Sequence, residues 1–164
     1  MSKRDKLVKM ANEEVQNNSL YLWSGQGEDV MKTTPEKIRK VETSDNNASR
    51  VLKALAGKIN QGLNMKKAKY FDCSGLVVYI LQKLEVIKDD YTAAGIYEKL
   101  CVPITKQDLK AGDLVFVKSS GKISHVGIYA GDGLVIEAAG RDIGVVKRGI
   151  NKNSWNVYGR LKDL

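Results

Sequence analysis

Apolar residues in the first half of the chain recur at the spacing of amphipathic helices. Residues 3–18 and residues 47–63 each carry such a stripe, and the second stripe is predicted to pack into the core. Its members are Val51, Leu52, Leu55, Ile59 and Leu63. Between the two segments, Thr34-Pro35-Glu36 combines a hydroxyl cap, a first-turn proline and an acid, which predicts a further helix start. The polar stretch 43–47 is predicted to be a mobile loop.

The second half of the chain changes to short runs that are apolar or that alternate between apolar and polar residues. A helix from Cys73 to about Val86 and a short helix near 92–100 come first. Five strand-like runs follow, separated by turn-forming residues: 114–118, 125–130, 134–138, 144–148 and 157–161. Helices followed by an antiparallel meander predict an α+β fold, and 164 residues suit a single domain, 1–164, with its own core.

The turn Gly131-Asp132-Gly133 sets the register of one predicted hairpin. If all three residues form the loop, Ala130 pairs with Leu134 and one face of the hairpin is entirely apolar. A two-residue loop would shift the second strand by one residue and place Glu137 on that apolar face. The three-residue loop is therefore predicted, and in that register Glu137 lies diagonal to His125, within reach of its side chain.

The chain has an ordinary globular composition with an excess of positive charge. It contains 27 Lys and Arg against 19 Asp and Glu, for a formal net charge of +8. This excess suits a solvated surface or an anionic partner. The aromatic content of 7% and the lack of a nucleic-acid-binding motif argue against nucleic acid as that partner. No apolar run is long enough to cross a membrane, and the charged start of the chain is unlike a signal peptide.

Cys73 and His125 are the residues best suited to catalysis. A thiol at the amino end of a helix meets unpaired N–H groups and the positive end of the helix dipole, which favour the thiolate. His125 is the single histidine and hence the only imidazole base. The carboxylate of Glu137 is predicted to hold this imidazole and stabilise its protonated form. Cys101 lies among apolar residues and is predicted to be a packed thiol. Two cysteines and one histidine indicate neither a disulfide nor a metal site.

Four stretches resemble the motifs of the NlpC/P60 family, papain-like cysteine peptidases that cut peptidoglycan stem peptides. Tyr21-Leu22-Trp23-Ser24-Gly25 is similar to the aromatic motif of that family, and Phe71-Asp72-Cys73-Ser74-Gly75-Leu76 is similar to its nucleophile motif. Gly112-Asp113-Leu114-Val115-Phe116 is similar to the strand that follows, and residues 124–131 are similar to the histidine strand. The four stretches occur in the order that the family has.

The resemblance implies a papain-like fold, with N-terminal helices packed on a central antiparallel sheet of about five or six strands. It implies that Cys73 is the nucleophile, His125 the general base and Glu137 the residue that orients the histidine. Two positions depart from the family pattern. The third position is usually a histidine or a neutral amide rather than a glutamate, and Ala111 stands where a proline is usual. No cofactor and no metal are implied.

The resemblance also assigns residues to substrate binding. It implies that Tyr21 lines the site and helps to hold the oxyanion, and that Asp72 and Ser74 contact the free amine end of a stem peptide. The lysine-rich segment 28–70 is longer than the family usually has between its aromatic and nucleophile motifs. We interpret it as a helical insertion that acts as a lid or as a specificity element.

The implied activity is hydrolysis of a stem peptide at or near its γ-D-glutamyl–diamino acid bond, through a thioester acyl-enzyme. Peptidoglycan is the expected partner, and anionic wall polymers are a further candidate. Two alternatives remain open. One is a thiol acyltransferase or deamidase on the same scaffold with a non-wall substrate, and the other is a non-catalytic wall-binding or phage structural module. We expect a chain made in the cytoplasm that acts on the wall after lysis, phage delivery or other export. This suits a phage or prophage endolysin or tail-associated lysin, a cytosolic recycling enzyme, or a domain excised from a larger secreted protein.

Overall fold

The computed structural model describes all 164 residues, which form five helices and nine strands. The helices are α1 (Lys3–Gln16), α2 (Pro35–Val41), α3 (Asp45–Asn60), α4 (Cys73–Lys83) and α5 (Ala93–Gly95), and α5 continues into a π-helical turn, Ile96–Leu100. The strands are β1 (Leu20–Tyr21), β2 (Gln26–Asp29), β3 (Lys69–Phe71), β4 (Cys101–Ile104), β5 (Leu114–Ser119), β6 (Lys122–Gly131), β7 (Leu134–Ala138), β8 (Val145–Gly149) and β9 (Val157–Leu161). None of the helices combines the length and the apolar character that a membrane crossing requires.

Side-chain caps start the helices of the first half. The Thr34 hydroxyl accepts a hydrogen bond from the N–H of Lys37, which confirms the predicted start of α2. Ser44 caps α3 in the same way by accepting the N–H of Asn47. The prediction of a loop at residues 43–47 is therefore wrong for Asp45–Asn47, which form the first turn of α3.

Six antiparallel strands form the main sheet, in the order β4-β9-β5-β6-β7-β8, and this confirms the predicted α+β class. The five strand-like runs of the second half all form strands. The sixth strand, β4, was not predicted because Pro103 interrupts its pattern. A proline is tolerated here since β4 lies at the sheet edge and pairs only with β9. A second, three-stranded sheet has the order β1-β3-β2, and its strand β2 has the polar sequence Gln-Gly-Glu-Asp, which carries no strand pattern.

The β6–β7 hairpin has the predicted faces but not the predicted loop. Ile128 pairs with Ile136, as the three-residue loop requires, yet the last pair is Gly131 with Leu134. The loop therefore has two residues, Asp132 and Gly133, both with positive φ, and a β-bulge after Tyr129 absorbs the extra residue. The bulge keeps the apolar side chains of β7 on the core face, so the one-residue shift that a two-residue loop would otherwise cause does not occur.

Two large apolar clusters hold the protein together. The first lies between the main sheet and helices α1 and α4. The second joins the 28–70 segment to strands β1 and β3, and its buried members are Leu20, Leu22, Val30, Ile38, Ala48, Val51, Met65, Ala68 and Tyr70. The predicted α3 stripe faces this second cluster except for Ile59, which is 48% exposed. Segment 28–70 thus packs through its own apolar core against the strands that lead to Cys73.

Candidate active site

Cys73 is the first residue of α4, as the sequence predicted. The side chain of Asp72 caps this helix by accepting the N–H of Gly75 at 2.6 Å. A Cβ at Gly75 would collide with the carbonyl oxygen of Gly25, so a glycine is required for the turn after β1 to reach the start of α4. The thiol therefore lies at a helix N-terminus that is closed on one side by the 22–25 turn.

His125 and Glu137 are in direct contact, as the hairpin register predicted. Nε2 of His125 lies 2.9 Å from Oε1 of Glu137, which is 1% exposed. Glu137 also accepts hydrogen bonds from Asn153 Nδ2 at 3.1 Å and from Arg148 Nε at 3.3 Å. Three donors thus surround a buried carboxylate, and each of them favours its ionised form.

The electrostatic environment makes His125 an imidazolium at neutral pH. Burial by itself lowers the pKa of His125, but hydrogen bonds with Cys73 and Glu137 raise it from 6.5 to about 9. The pKa of Glu137 is lowered, because the contacts with His125, Asn153 and Arg148 outweigh the effect of burial. An imidazole beside both a cysteine and a carboxylate is the arrangement that a thiol hydrolase requires.

Trp155 stacks on the imidazole of His125. The ring centroids are 5.2 Å apart and the planes differ by 14°. This approach depends on Gly127, because a Cβ there would lie 2.9 Å from Trp155 and 2.7 Å from Val135. Trp155 therefore shields one face of the His125–Glu137 contact from water.

A cleft of about 300 Å³ opens at Cys73. The residues that line it come from four places in the chain and are Tyr21, Trp23, Asp72, Cys73, Ser74, Thr92, Ala93, Ile123 and Ser124. None of them belongs to segment 28–70. Tyr21 lies at the end of β1, which pairs in parallel with β3, so the phenol comes beside the start of α4. Burial, with the charges of Cys73 and Asp72, raises the pKa of Tyr21 to about 12. Its hydroxyl therefore stays protonated and can donate a hydrogen bond to an oxyanion.

Asp72 and Ser74 lie in the cleft on either side of Cys73. Ser74 Oγ donates to Asp72 Oδ1 at 3.3 Å, the oxygen that also caps α4. Burial raises the pKa of Asp72, against the hydrogen bonds from Gly75 and Ser74. All six residues predicted for the site are therefore near one another, either in the cleft or directly behind it. No group of three or more His, Cys, Asp or Glu side chains is placed to hold a metal ion.

Several residues that support the site were not predicted from the sequence. Arg148 was detectable, because the β7–β8 register pairs Glu137 with Val146 and brings Arg148 onto the same face two residues on. The others depend on the paths of loops far away in the sequence, and no local pattern marks them. They are Glu42, Arg141, Asn153 and Trp155.

Comparison with known protein families matches the NlpC/P60 family over residues 54–160. This range is more than half of the chain and contains Cys73, His125 and Glu137. The chain belongs to the NlpC/P60 family. The match begins inside α3, so Tyr21 and more than half of segment 28–70 precede it.

Curated proteins of similar sequence carry peptidase names. The chain is 37% identical over 90 residues to murein DD-endopeptidase MepH of Escherichia coli, which is 52% of this chain and 32% of that protein. It is 36% identical over 88 residues to probable endopeptidase p60 of Listeria monocytogenes, which is 54% of this chain and 17% of that protein. The chain thus spans a third or less of the length of these two relatives.

Solved NlpC/P60 structures share the fold along nearly the whole chain. The NlpC/P60 domain of the peptidoglycan hydrolase SagA aligns with a TM-score of 0.60 at 21% identity, covering 96% of this chain and 98% of that domain. The P60 domain of an M. avium subspecies paratuberculosis antigen aligns with a TM-score of 0.64 at 21% identity, covering 99% and 96%. At this identity the likeness establishes the fold, and the predicted papain-like α+β architecture is confirmed.

Proposed function

We propose that this NlpC/P60 chain is a cysteine endopeptidase that hydrolyses amide bonds in peptidoglycan stem peptides. The observation that carries the proposal is the buried Glu137 carboxylate 2.9 Å from Nε2 of His125, whose pKa is raised by the neighbouring helix-terminal Cys73 and by Glu137. The names of the relatives agree with this activity, since they include a murein endopeptidase and a peptidoglycan hydrolase.

The reaction begins with the Cys73 thiolate, paired with the His125 imidazolium, attacking the amide carbonyl carbon. His125, charged at neutral pH, gives its proton to the departing amine as the C–N bond breaks, and a thioester with Cys73 remains. The neutral imidazole then takes a proton from water, which attacks the thioester and releases the acid. Glu137 stabilises the imidazolium before the first step and after the second. Tyr21 and the N–H of Cys73 donate to the oxyanion.

The bond we propose lies at or near the γ-D-glutamyl–diamino acid linkage. The chain is 40% identical over 73 residues to a γ-DL-glutamyl hydrolase of Bacillus subtilis, which is 42% of this chain and 17% of that protein. Asp72 and Ser74, beside the nucleophile, offer a carboxylate and a hydroxyl to the free amine of a short stem peptide. MepH is named for a different bond, a DD linkage, and the masses of the products distinguish the two cleavage sites.

The test is digestion of purified peptidoglycan and of defined muropeptides, with products identified by mass. The wild type is expected to release new amine and acid ends at the γ-D-glutamyl linkage, and Cys73→Ala is expected to release none. Cys101→Ser is the matched control and is expected to keep activity. Cys101 is 5% exposed, and burial raises its pKa to about 12, so its thiol is unsuited to catalysis. Equal activity of Cys73→Ala and wild type would refute the proposal.

A further inference from the structure

One wall of the cleft is an exposed indole. Trp23 is 49% exposed and lines the cleft with Cys73. Among the lining residues it is the only large apolar side chain with this much free surface. Its exposed face is thus available to a group that lies against the nucleophile.

The backbone of Trp23 is fixed by a tight turn. The N–H of Gly25 donates to the carbonyl of Leu22 at 2.9 Å, and Ser24 has a positive φ of 59°. The carbonyl of Gly25 in turn accepts the N–H of Asp72 at 3.0 Å. The turn is therefore bonded to the residue that precedes Cys73, and the indole has a defined place relative to the thiol.

A buried carboxylate from segment 28–70 holds the same turn. Glu42 lies just after α2, and its side chain has no exposed surface. Its Oε2 accepts the N–H of Trp23 at 3.0 Å, and its Oε1 accepts Nε and Nη2 of Arg141 at 3.0 and 2.8 Å. Burial acts to raise the pKa of Glu42, but the hydrogen bonds from Arg141 and from Trp23 lower it. The charge is thus kept beside the cleft.

Arg141 carries this contact to the second aromatic residue of the cleft. Arg141 lies in the connection between β7 and β8, and its guanidinium is 5.4 Å from the ring centre of Tyr21. The Glu42–Arg141 ion pair therefore touches both aromatic residues of one cleft wall, Trp23 through the backbone and Tyr21 through the ring. Segment 28–70 lines none of the cleft, yet through Glu42 it supports this wall.

We propose that Trp23 is a substrate-contacting residue that covers an aliphatic part of the stem peptide bound at Cys73. We further propose that Glu42 and Arg141 are positioning residues, through which segment 28–70 tunes substrate specificity without acting as a lid. The inference rests on the proposed endopeptidase function. It predicts that changes at these residues alter KM more than kcat, since the contact is made in the bound state and not only in the transition state.

The first test compares Trp23→Phe with Trp23→Ala in steady-state kinetics on a defined muropeptide. Trp23→Ala is expected to raise KM roughly 10-fold with kcat changed less than about twofold, and Trp23→Phe is expected to retain most of the affinity. Because the indole is exposed, neither variant is expected to disturb folding. An unchanged KM in Trp23→Ala would overturn the inference.

A second test reads binding without catalysis. The chain contains two tryptophans, so Cys73→Ala combined with Trp155→Phe leaves Trp23 as the only indole. Titration with the muropeptide is expected to shift and change the fluorescence of Trp23. If the fluorescence of Trp23 changes saturably but the wild type cleaves no stem peptide, the endopeptidase function is refuted and the Trp23–substrate contact is supported. Cleavage by wild type with no change in fluorescence would refute the contact alone.

The third test addresses the positioning residues. Glu42→Gln and Arg141→Lys are each expected to raise KM about 5-fold, and the effect of Glu42→Gln is expected to shrink by more than half in a Trp23→Ala background. Asp142→Asn is the matched control, because it breaks the exposed Arg50–Asp142 ion pair between the same segment and the same connection. It is expected to leave KM unchanged. Additive effects of Glu42→Gln and Trp23→Ala would overturn the positioning role.

Discussion

Cys73 and the carboxylate of Glu137 together raise the pKa of His125, and the contribution of Glu137 gives a testable pH dependence. The wild-type pKa of about 9 keeps the imidazolium through neutral pH, so kcat/KM is expected to fall as the pH rises through about 9. Glu137→Gln replaces a negative charge by a neutral amide, which removes stabilisation of the imidazolium. The pKa of His125 is then lower, and the alkaline limb of the profile is expected to move to lower pH. Kinetics across the pH range measure this shift.

The control for that experiment is Glu36→Gln. Glu36 is an exposed acid in the first turn of α2, so its removal changes the net charge equally but leaves the site intact. Its alkaline limb is expected to coincide with that of the wild type. A coincident limb for Glu137→Gln as well would mean that the contact with Glu137 does not set the pKa of His125.

At the residue scale, the sequence predicted the positions of Cys73 at a helix start and of Glu137 beside His125, but not the residues that support them. The position of Cys73 could be predicted because a helix start is a local pattern. The position of Glu137 could be predicted because hairpin register is determined by alternation over a few residues. The supports join residues far apart in the chain: Glu42 with Arg141, and Glu137 with Asn153. Polar residues in loops carry no periodicity, so nothing local indicates which partner they meet.

At the element scale, the segment 28–70 is a packed part of the fold. Ile38 of α2 is fully buried in the second apolar cluster, whereas Ile59 of α3 is 48% exposed. Ile38→Ala removes a buried side chain and leaves a cavity, and it is expected to lower the free energy of unfolding by about 3 kcal/mol. Ile59→Ala is the matched control, with an expected loss below about 0.5 kcal/mol. Urea unfolding measures both.

Equal losses in the two variants would mean that segment 28–70 has no core of its own.

The same packing makes deletion of the segment an unsuitable test of a lid. Leu20 and Leu22, on the chain that leads to Trp23, and Tyr70, in β3, belong to this cluster. Removing the segment would expose Leu20 and Leu22, delete Tyr70 together with most of β3, and so disturb both the turn at Trp23 and the start of α4. Point substitutions at Glu42 keep this core and are the sharper experiment.

Element prediction succeeded where a local signal exists and failed where pairing alone decides. Capping residues indicated the start of α2, and alternation indicated the strands of the main sheet. The short strands β2 and β4 contain glycine, charged residues or proline, and they exist because β3 and β9 supply hydrogen-bond partners. The bulge in the β6–β7 hairpin also has no local sequence signal, because it is required only by the packing of the apolar face of the hairpin against the core.

At the scale of the whole molecule, Asp113 joins the N-terminal helix to the sheet. Its side chain is fully buried at the start of β5. It accepts a hydrogen bond from Nη1 of Arg4 in α1 at 2.9 Å. It also accepts hydrogen bonds from Nε and Nη2 of Arg160 in β9 at 2.9 and 2.8 Å. Asp113→Asn leaves two arginines without their counter-charge, so the free energy of unfolding at neutral pH is expected to fall by about 3 kcal/mol. Chemical denaturation measures the difference, and Asp142→Asn, at an exposed ion pair, is expected to cost less than about 1 kcal/mol.

The pH dependence of that difference identifies its cause. The pKa of Asp113 is lowered, because the hydrogen bonds from Arg160, Lys110 and Arg4 outweigh burial. A carboxyl with a lowered pKa in the folded state adds stability that is present above its unfolded pKa, about 3.9, and lost as the pH falls through its folded pKa. The gap between wild type and Asp113→Asn is therefore expected to be widest at neutral pH and to narrow on acidification. A gap that stays constant down to about pH 3 would assign the loss to packing rather than to the charge.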